Sequence, residues 1–277
     1  MISLRYLKRD LRLGLLNRFC FLVFPVILSV AQALEFHRAV IGLLSFESNW
    51  GVGTIMDYYM YSVRGMRIFF FDPREYFQIP IYWFAFQIGA VYFTAYYGYN
   101  DYVNQGKMLF VLPKSRSGWW IGKWSWCCIC TICYYAVGMV ATGVTALLCG
   151  AQPSLHATEL LSRMYHSGVI YLNDTDILLV VILLPILTTM GFCVIQLLVS
   201  FLITPEISFA LICVCLVLSA YYTAFWLPAS FTMWLRTSYI DSMGLNPASG
   251  FLIGFAVIFL VLYGGRDYFQ RKDVVSG

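Results

Sequence analysis

The residues able to do chemistry in this chain are few and lie far apart. Glu35 and His37 close an apolar run, a pairing that suits a metal site or a proton relay as well as a solvated helix end. Asp174 and Asp176 offer an acidic pair, while His156 and His166 are distant in sequence from Glu35 and His37. No H-E-x-x-H and no G-x-S-x-G occurs, so two common hydrolase signatures are missing. Cys127, Cys128, Cys130 and Cys133 crowd together as CCICTIC. A helix spreads those thiols over several faces, and no histidine or carboxylate stands nearby to complete a metal set. Gly118-Trp119-Trp120-Ile121-Gly122-Lys123 imitates a phosphate loop, but three residues separate the glycines where four are needed, and no Ser or Thr follows the lysine. Gly51 and Gly53 belong to a turn, since no strand precedes them and no complete fingerprint follows. The chain is therefore expected not to be an enzyme and to hold no cofactor or metal. If ATP drives it, a second polypeptide binds the nucleotide.

What must position these residues is set by composition. The chain has 277 residues, 60% apolar and 12% charged, with a mean hydropathy of +0.74, which places it among multi-spanning membrane proteins. All nine cysteines fall in or at the ends of apolar runs, where a thiol acts as a small hydrophobe. Residues 1–18 predict a basic amphipathic helix lying at a membrane surface, with Leu4, Leu7, Leu11 and Leu15 on one face and Arg5, Lys8, Arg9 and Arg12 beside it. Apolar runs at 19–34, 79–97, 124–148, 177–203, 207–227 and 251–264 predict six spans, the first extending toward residue 44. Residues 228–249 are too broken by Pro and Gly to cross, yet Phe231, Met233, Trp234 and Leu235 keep them at membrane depth, as in a re-entrant segment. The whole, 1–277, reads as one all-α transmembrane domain.

Six spans put both termini on one side. That side carries twelve basic residues: Arg5, Lys8, Arg9, Arg12 and Arg18, then Lys107, Lys114, Arg116 and Lys123, then Arg266, Arg271 and Lys272. The other side carries six, Arg38, Arg64, Arg67, Arg74, Arg163 and Arg236. The bias predicts that both termini and the segment 98–123 are cytoplasmic. Ionisable groups are nearly absent inside the spans, which argues against an ion-coupled carrier.

Segment 98–123, GYNDYVNQGKMLFVLPKSRSGWWIGK, is longer than a connector needs to be. Its pattern predicts a short helix over 101–112, a stop at Pro113, a basic turn at Lys114-Ser115-Arg116, and Trp119-Trp120 at the level of a membrane surface. Lys107, Lys114 and Arg116 suit acidic groups on a partner, or anionic lipid head groups.

These features together resemble a permease subunit of the ABC-2 type of ABC transporter. The most specific piece is Gly106-x-x-Leu109-x-x-Leu112-Pro113-x-Ser115-Arg116 followed by Gly122-Lys123, similar to the cytosolic G…L…P-x-S-R…G-K pattern of that family. Asp101 is the nearest counterpart of the family's acidic residue before the glycine, and Lys107 stands where a small hydroxyl residue is common. The resemblance implies that Asp101, Gly106, Lys107, Leu109, Leu112, Pro113, Ser115 and Arg116 form a coupling helix docked on a cytosolic ABC ATPase subunit, which holds ATP and Mg. It also implies a second permease subunit, like or unlike, in a bacterial plasma membrane. The translocation path would then be lined by Tyr82, Phe86, Gln87, Tyr92, Tyr96, Tyr221, Tyr222 and Thr223, a surface suited to an amphipathic or hydrophobic substrate such as an antimicrobial or signalling peptide. Membrane lipids are expected neighbours and nucleic acid is not. A lipid-modifying membrane enzyme using Glu35, His37, Asp174 and Asp176, or a membrane sensor or scaffold reading a peptide through residues 45–76, stays open beside it.

Overall fold

A computed structural model describes residues 2–16, 20–45, 51–71, 76–106, 113–165 and 173–271. Among them regular structure is helical, with only two isolated bridge pairs, Thr54 with Gln152 and Thr237 with Leu245. Helix α1 (Ile2–Asp10) runs on into a wider-wound stretch at Leu11–Leu16. Then come α2 (Cys20–Leu44), the short α3 (Ile55–Ser62), and α4 (Ile81–Asp101), which widens at Tyr102–Gly106. Helix α5 (Pro113–Leu148) and the short α6 (Glu159–Met164) precede α7 (Asp174–Leu202), wider-wound at Leu178–Leu183. Helix α8 (Pro205–Tyr221), tight turns at Pro228–Thr232 and Trp234–Arg236, and α9 (Pro247–Arg271) complete the chain.

Proline sets several of these starts. Pro113, Pro205 and Pro247 each open a helix, where the missing N–H would have had no intrahelical partner and the ring presets φ. The helix expected over 101–112, which Pro113 was read as stopping, runs into residues 107–112, outside the described residues. Lys114, Ser115 and Arg116, read from sequence as a basic turn, form the first turn of α5. The third apolar run is correspondingly the later part of a 36-residue helix.

Among the described residues four helices are long and apolar enough to cross a membrane: α2, α5, α7 and α9. Helix α8 is apolar but has 17 residues, ending at Tyr221 rather than near 227. Helix α4 has 21 residues, diluted by tyrosines and Gln87. Helix α9 continues through residues read from sequence as a polar tail.

Side-chain contacts fix two ends of the bundle. At one, here the terminal end, Asp10 of α1 meets Lys123 of α5, and Phe269 near the end of α9 packs on Trp119 and Trp120. At the far end, Tyr61 of α3 bonds Glu35 of α2, and Trp234 bonds the Met60 carbonyl. The core divides accordingly. A large cluster runs from Trp83 through Tyr134, Tyr135 and Phe192 to Trp119, Trp120, Phe201 and Phe269. A smaller one at the far end joins Phe36, Tyr58, Leu161, Val181 and Trp234.

Trp119 and Trp120 are 1% and 0% exposed, which corrects their placement in an aromatic surface belt. The reason is close approach: a Cβ at Gly265 of α9 would run into the Trp120 indole, so the glycine lets α9 lie against α5. Helix α1 is likewise packed against α5 rather than resting on lipid alone. Residues 228–249, read from sequence as a re-entrant segment, lead through tight turns into the start of α9 at Pro247. Phe231, Met233, Trp234 and Leu235 are buried within the far end.

Candidate functional site

The densest collection of charge sits inside the terminal end. Helix α1 supplies Arg9 and Asp10, α4 supplies Tyr97 and Asp101, and α5 supplies Lys123. The Lys123 ammonium lies 2.8 Å from Asp10 Oδ1 and 2.6 Å from Asp101 Oδ2. The Arg9 guanidinium is 2.6 Å from Asp101 Oδ2 and 3.2 Å from Asp10 Oδ1. The Tyr97 hydroxyl donates to Asp10 Oδ1 at 3.0 Å. The Tyr97 ring also faces Lys123, with the ammonium 4.6 Å from its centroid, a favourable place for a cation. Neither Asp10 nor Lys123 has any exposed side-chain surface.

Two cations and two anions balance, which is what makes burial tolerable, because an isolated buried charge carries a large desolvation cost. Burial works to lower the pKa of Arg9, but the neighbouring Asp101 and Asp10 outweigh it and the value is raised. Arg9 therefore stays charged. Nothing here is a nucleophile or an acid presented to a ligand. The arrangement fastens three elements together.

What it fastens is informative. Asp101 is the last residue of α4 before the widened stretch Tyr102–Gly106, and Lys123 lies in the early part of α5. Both roots of the segment read as a coupling element are thus tied to α1. Of the residues assigned to that element, Asp101 faces this internal cluster, with 7% of its side chain exposed. Gly106 ends the widened stretch, Pro113 and Ser115 are in the first turn of α5, and Arg116 is half-buried there. Lys107, Leu109 and Leu112 lie outside the described residues.

The residues assigned to a path divide. Gln87 faces inward, donating to Tyr135 at 3.1 Å and accepting from Thr189 at 2.7 Å, while Tyr135 and Thr189 share a bond of 2.7 Å. This neutral ring joins α4, α5 and α7. Phe86 packs edge-on against Tyr134 and Tyr135. Tyr82, Tyr92 and Tyr222 are exposed on the outside of the bundle, Tyr96 stacks beside Tyr92, and Tyr221 packs on Phe69 and Phe77. The Thr223 hydroxyl is buried with no partner among the described residues. The eight do not line one surface.

The groups weighed as an outer catalytic set are also dispersed. Glu35 accepts from Tyr61 at 2.8 Å and pairs with Arg64 at 3.4 Å, His37 bonds Tyr58 at 2.9 Å, and His156 pairs with Asp174 at 2.7 Å. Among the described residues no three of His, Cys, Asp or Glu gather as a metal site.

Asp10 escaped the sequence reading, which saw only a basic lead-in. A signal was present: Asp10 shares a helical face with Leu7 and Gly14, and an acid on an apolar stripe calls for an internal partner. Gly14 sits there because a Cβ would come within 2.8 Å of the Trp126 indole. Compared with known proteins, the chain matches no family model, no curated protein and no solved structure.

Proposed function

We propose that this chain is the membrane-spanning permease subunit of an ATP-driven ABC exporter of the ABC-2 kind. In this reading α4 and α8 complete six spans with α2, α5, α7 and α9, both termini are cytoplasmic, and the membrane is a bacterial plasma membrane. ATP and Mg bind a separate cytosolic ATPase subunit, and a second permease subunit, like or unlike, completes the path. The substrate is amphipathic or hydrophobic, with an antimicrobial or signalling peptide favoured.

The observation that supports this most is the cluster of Arg9, Asp10, Asp101 and Lys123, which ties α1 to both roots of the segment between α4 and α5. A push on that segment reaches α4 and α5 together, because Lys123 and Asp101 are paired directly. The exposed Tyr82 and Tyr92 of α4 and Tyr222 at the end of α8 then belong to a face turned toward the second subunit and the substrate.

The test is purification from native membranes in mild detergent, with mass spectrometry of the proteins that remain bound, comparing wild type with Arg116→Glu plus Pro113→Gly. The reading expects an ATPase bearing a Walker A motif with wild type and its loss with the variant. Absence of any such ATPase across several detergents overturns it.

A further inference from the structure

A second polar feature lies deeper in the bundle, away from the charged cluster. Between α2, α3, α4 and α5 is a cavity whose polar lining is Ser29, Gln32, Tyr59, Gln87, Tyr135 and Thr232. Those side chains are neutral, and Val63, Phe86, Met139 and Pro185 complete the walls. The cavity offers about 20 Å³ to water-sized molecules, enough for one water and too little for a metabolite.

Its walls supply unusual hydrogen-bonding capacity for a bundle interior. Tyr59 is 5% exposed, and its hydroxyl is buried without a partner among the described residues. Gln32 donates to the Ser62 carbonyl at 3.0 Å, and Trp83 donates to Thr232 at 2.7 Å, so two neighbours are already fixed around the space. On the opposite wall stands the closed ring of Gln87, Tyr135 and Thr189. An apolar cavity of this size stays dry, whereas one walled by several donors and acceptors fills with water. A phenol left without a partner favours the same outcome.

We propose that this cavity is a buried hydration site, holding a water molecule that bonds the walls and, by a small shift of the ring, the Tyr59 hydroxyl. The water bridges α3 to the ring that joins α4, α5 and α7. It gives the helices a polar contact that re-forms after small displacements, as fixed side-chain pairs do not.

Radiolytic hydroxyl-radical labelling of the whole protein in detergent, read by mass spectrometry, tests this, because bound water generates radicals in place. Tyr59 and Trp83, 5% and 4% exposed, line the cavity, while Tyr134 and Trp120, both 0% exposed, do not. The expected result is several-fold faster labelling of Tyr59 and Trp83 than of Tyr134 and Trp120. Gly138→Ala projects a methyl toward Ser29 Oγ at 3.1 Å and Phe86 at 3.4 Å and is expected to bring Trp83 down to the rate of Trp120. Equal slow labelling of all four residues in the wild type overturns the proposal, and this comparison needs no variant to fold. Fast labelling that Gly138→Ala leaves unchanged in a folded protein overturns it equally.

Discussion

The terminal end of the bundle buries Arg9, Asp10, Asp101 and Lys123 in mutual contact, whereas the far end buries Arg236 and Asp57 separately, each satisfied by uncharged groups. Arg236 donates to the carbonyls of Ser219 and Ala220 at 2.5 Å, where α8 ends, and to those of Met66 and Arg67 at 3.1 Å. A helix C-terminus carries partial negative charge, so it suits a cation. Burial pulls the pKa of Arg236 down to about 10, which still leaves it charged at neutral pH. Asp57 takes the Thr54 N–H at 2.8 Å, the Thr158 N–H at 2.9 Å and the Thr158 hydroxyl at 2.8 Å, which caps α3 and holds the segment before α6.

The difference is mechanical. Coulomb attraction falls slowly with distance and has little directionality, so four charges in a group tolerate small helix movements without losing their energy. Backbone caps weaken steeply when angles change. In the proposed permease reading, the terminal end would shift as a unit while the far end stays fixed.

Substitutions sharpen or break this contrast. The largest effect is expected from Lys123→Met, which leaves Asp10 and Asp101 buried beside only Arg9 and is expected to cost about 3–5 kcal/mol, read as a fall in thermal unfolding midpoint in detergent. Adding Asp10→Asn to it should restore part of the loss. Equal losses in single and double variants would show that the cluster is not coupled. Arg236→Gln should cost about 2–3 kcal/mol by stranding the carbonyls at the end of α8. Arg236→Lys should not rescue it, since a single ammonium cannot span carbonyls on two elements. If lysine does rescue it, the far end depends on charge rather than on directed bonds. Asp57→Ala, which removes one cap, is expected to cost about 1–2 kcal/mol, measurable as faster proteolysis around α3. The smallest effect is expected from His156→Ala, whose pair with Asp174 is exposed, at under about 0.5 kcal/mol in the same unfolding assay.

Sequence periodicity and hydropathy located most of this architecture, because apolar runs of spanning length leave few alternatives. The run at 124–148 lies within α5, the one at 177–203 ends one residue past α7, and the one at 251–264 lies within α9. What periodicity did not reveal was where proline acts. Pro113 opens a helix, a role the sequence reading did not give it, and a local rule that allows proline both to open and to stop helices does not by itself choose between them. The charged cluster was half legible. Asp101 and Lys123 stood out as charges flanking apolar runs, but they read as surface charges, because nothing local says that Arg9 and Asp10, more than ninety residues earlier, meet them, Arg9 at Asp101 and Asp10 at Lys123. The tryptophan pair misled for a related reason: Trp119-Trp120 has the composition of a membrane-surface belt, and only the glycine on α9 shows that it is a packing surface instead.

The most direct test of the whole reading is a photocrosslinking amino acid placed at Val103, in the exposed part of the stretch following α4, and separately at Tyr239, exposed at the far end. Crosslinks are formed in living cells and the adducts identified by mass spectrometry. The account predicts an adduct with a Walker A-bearing ATPase at Val103 and none at Tyr239. No such ATPase at Val103, or the same ATPase at both positions, would contradict it.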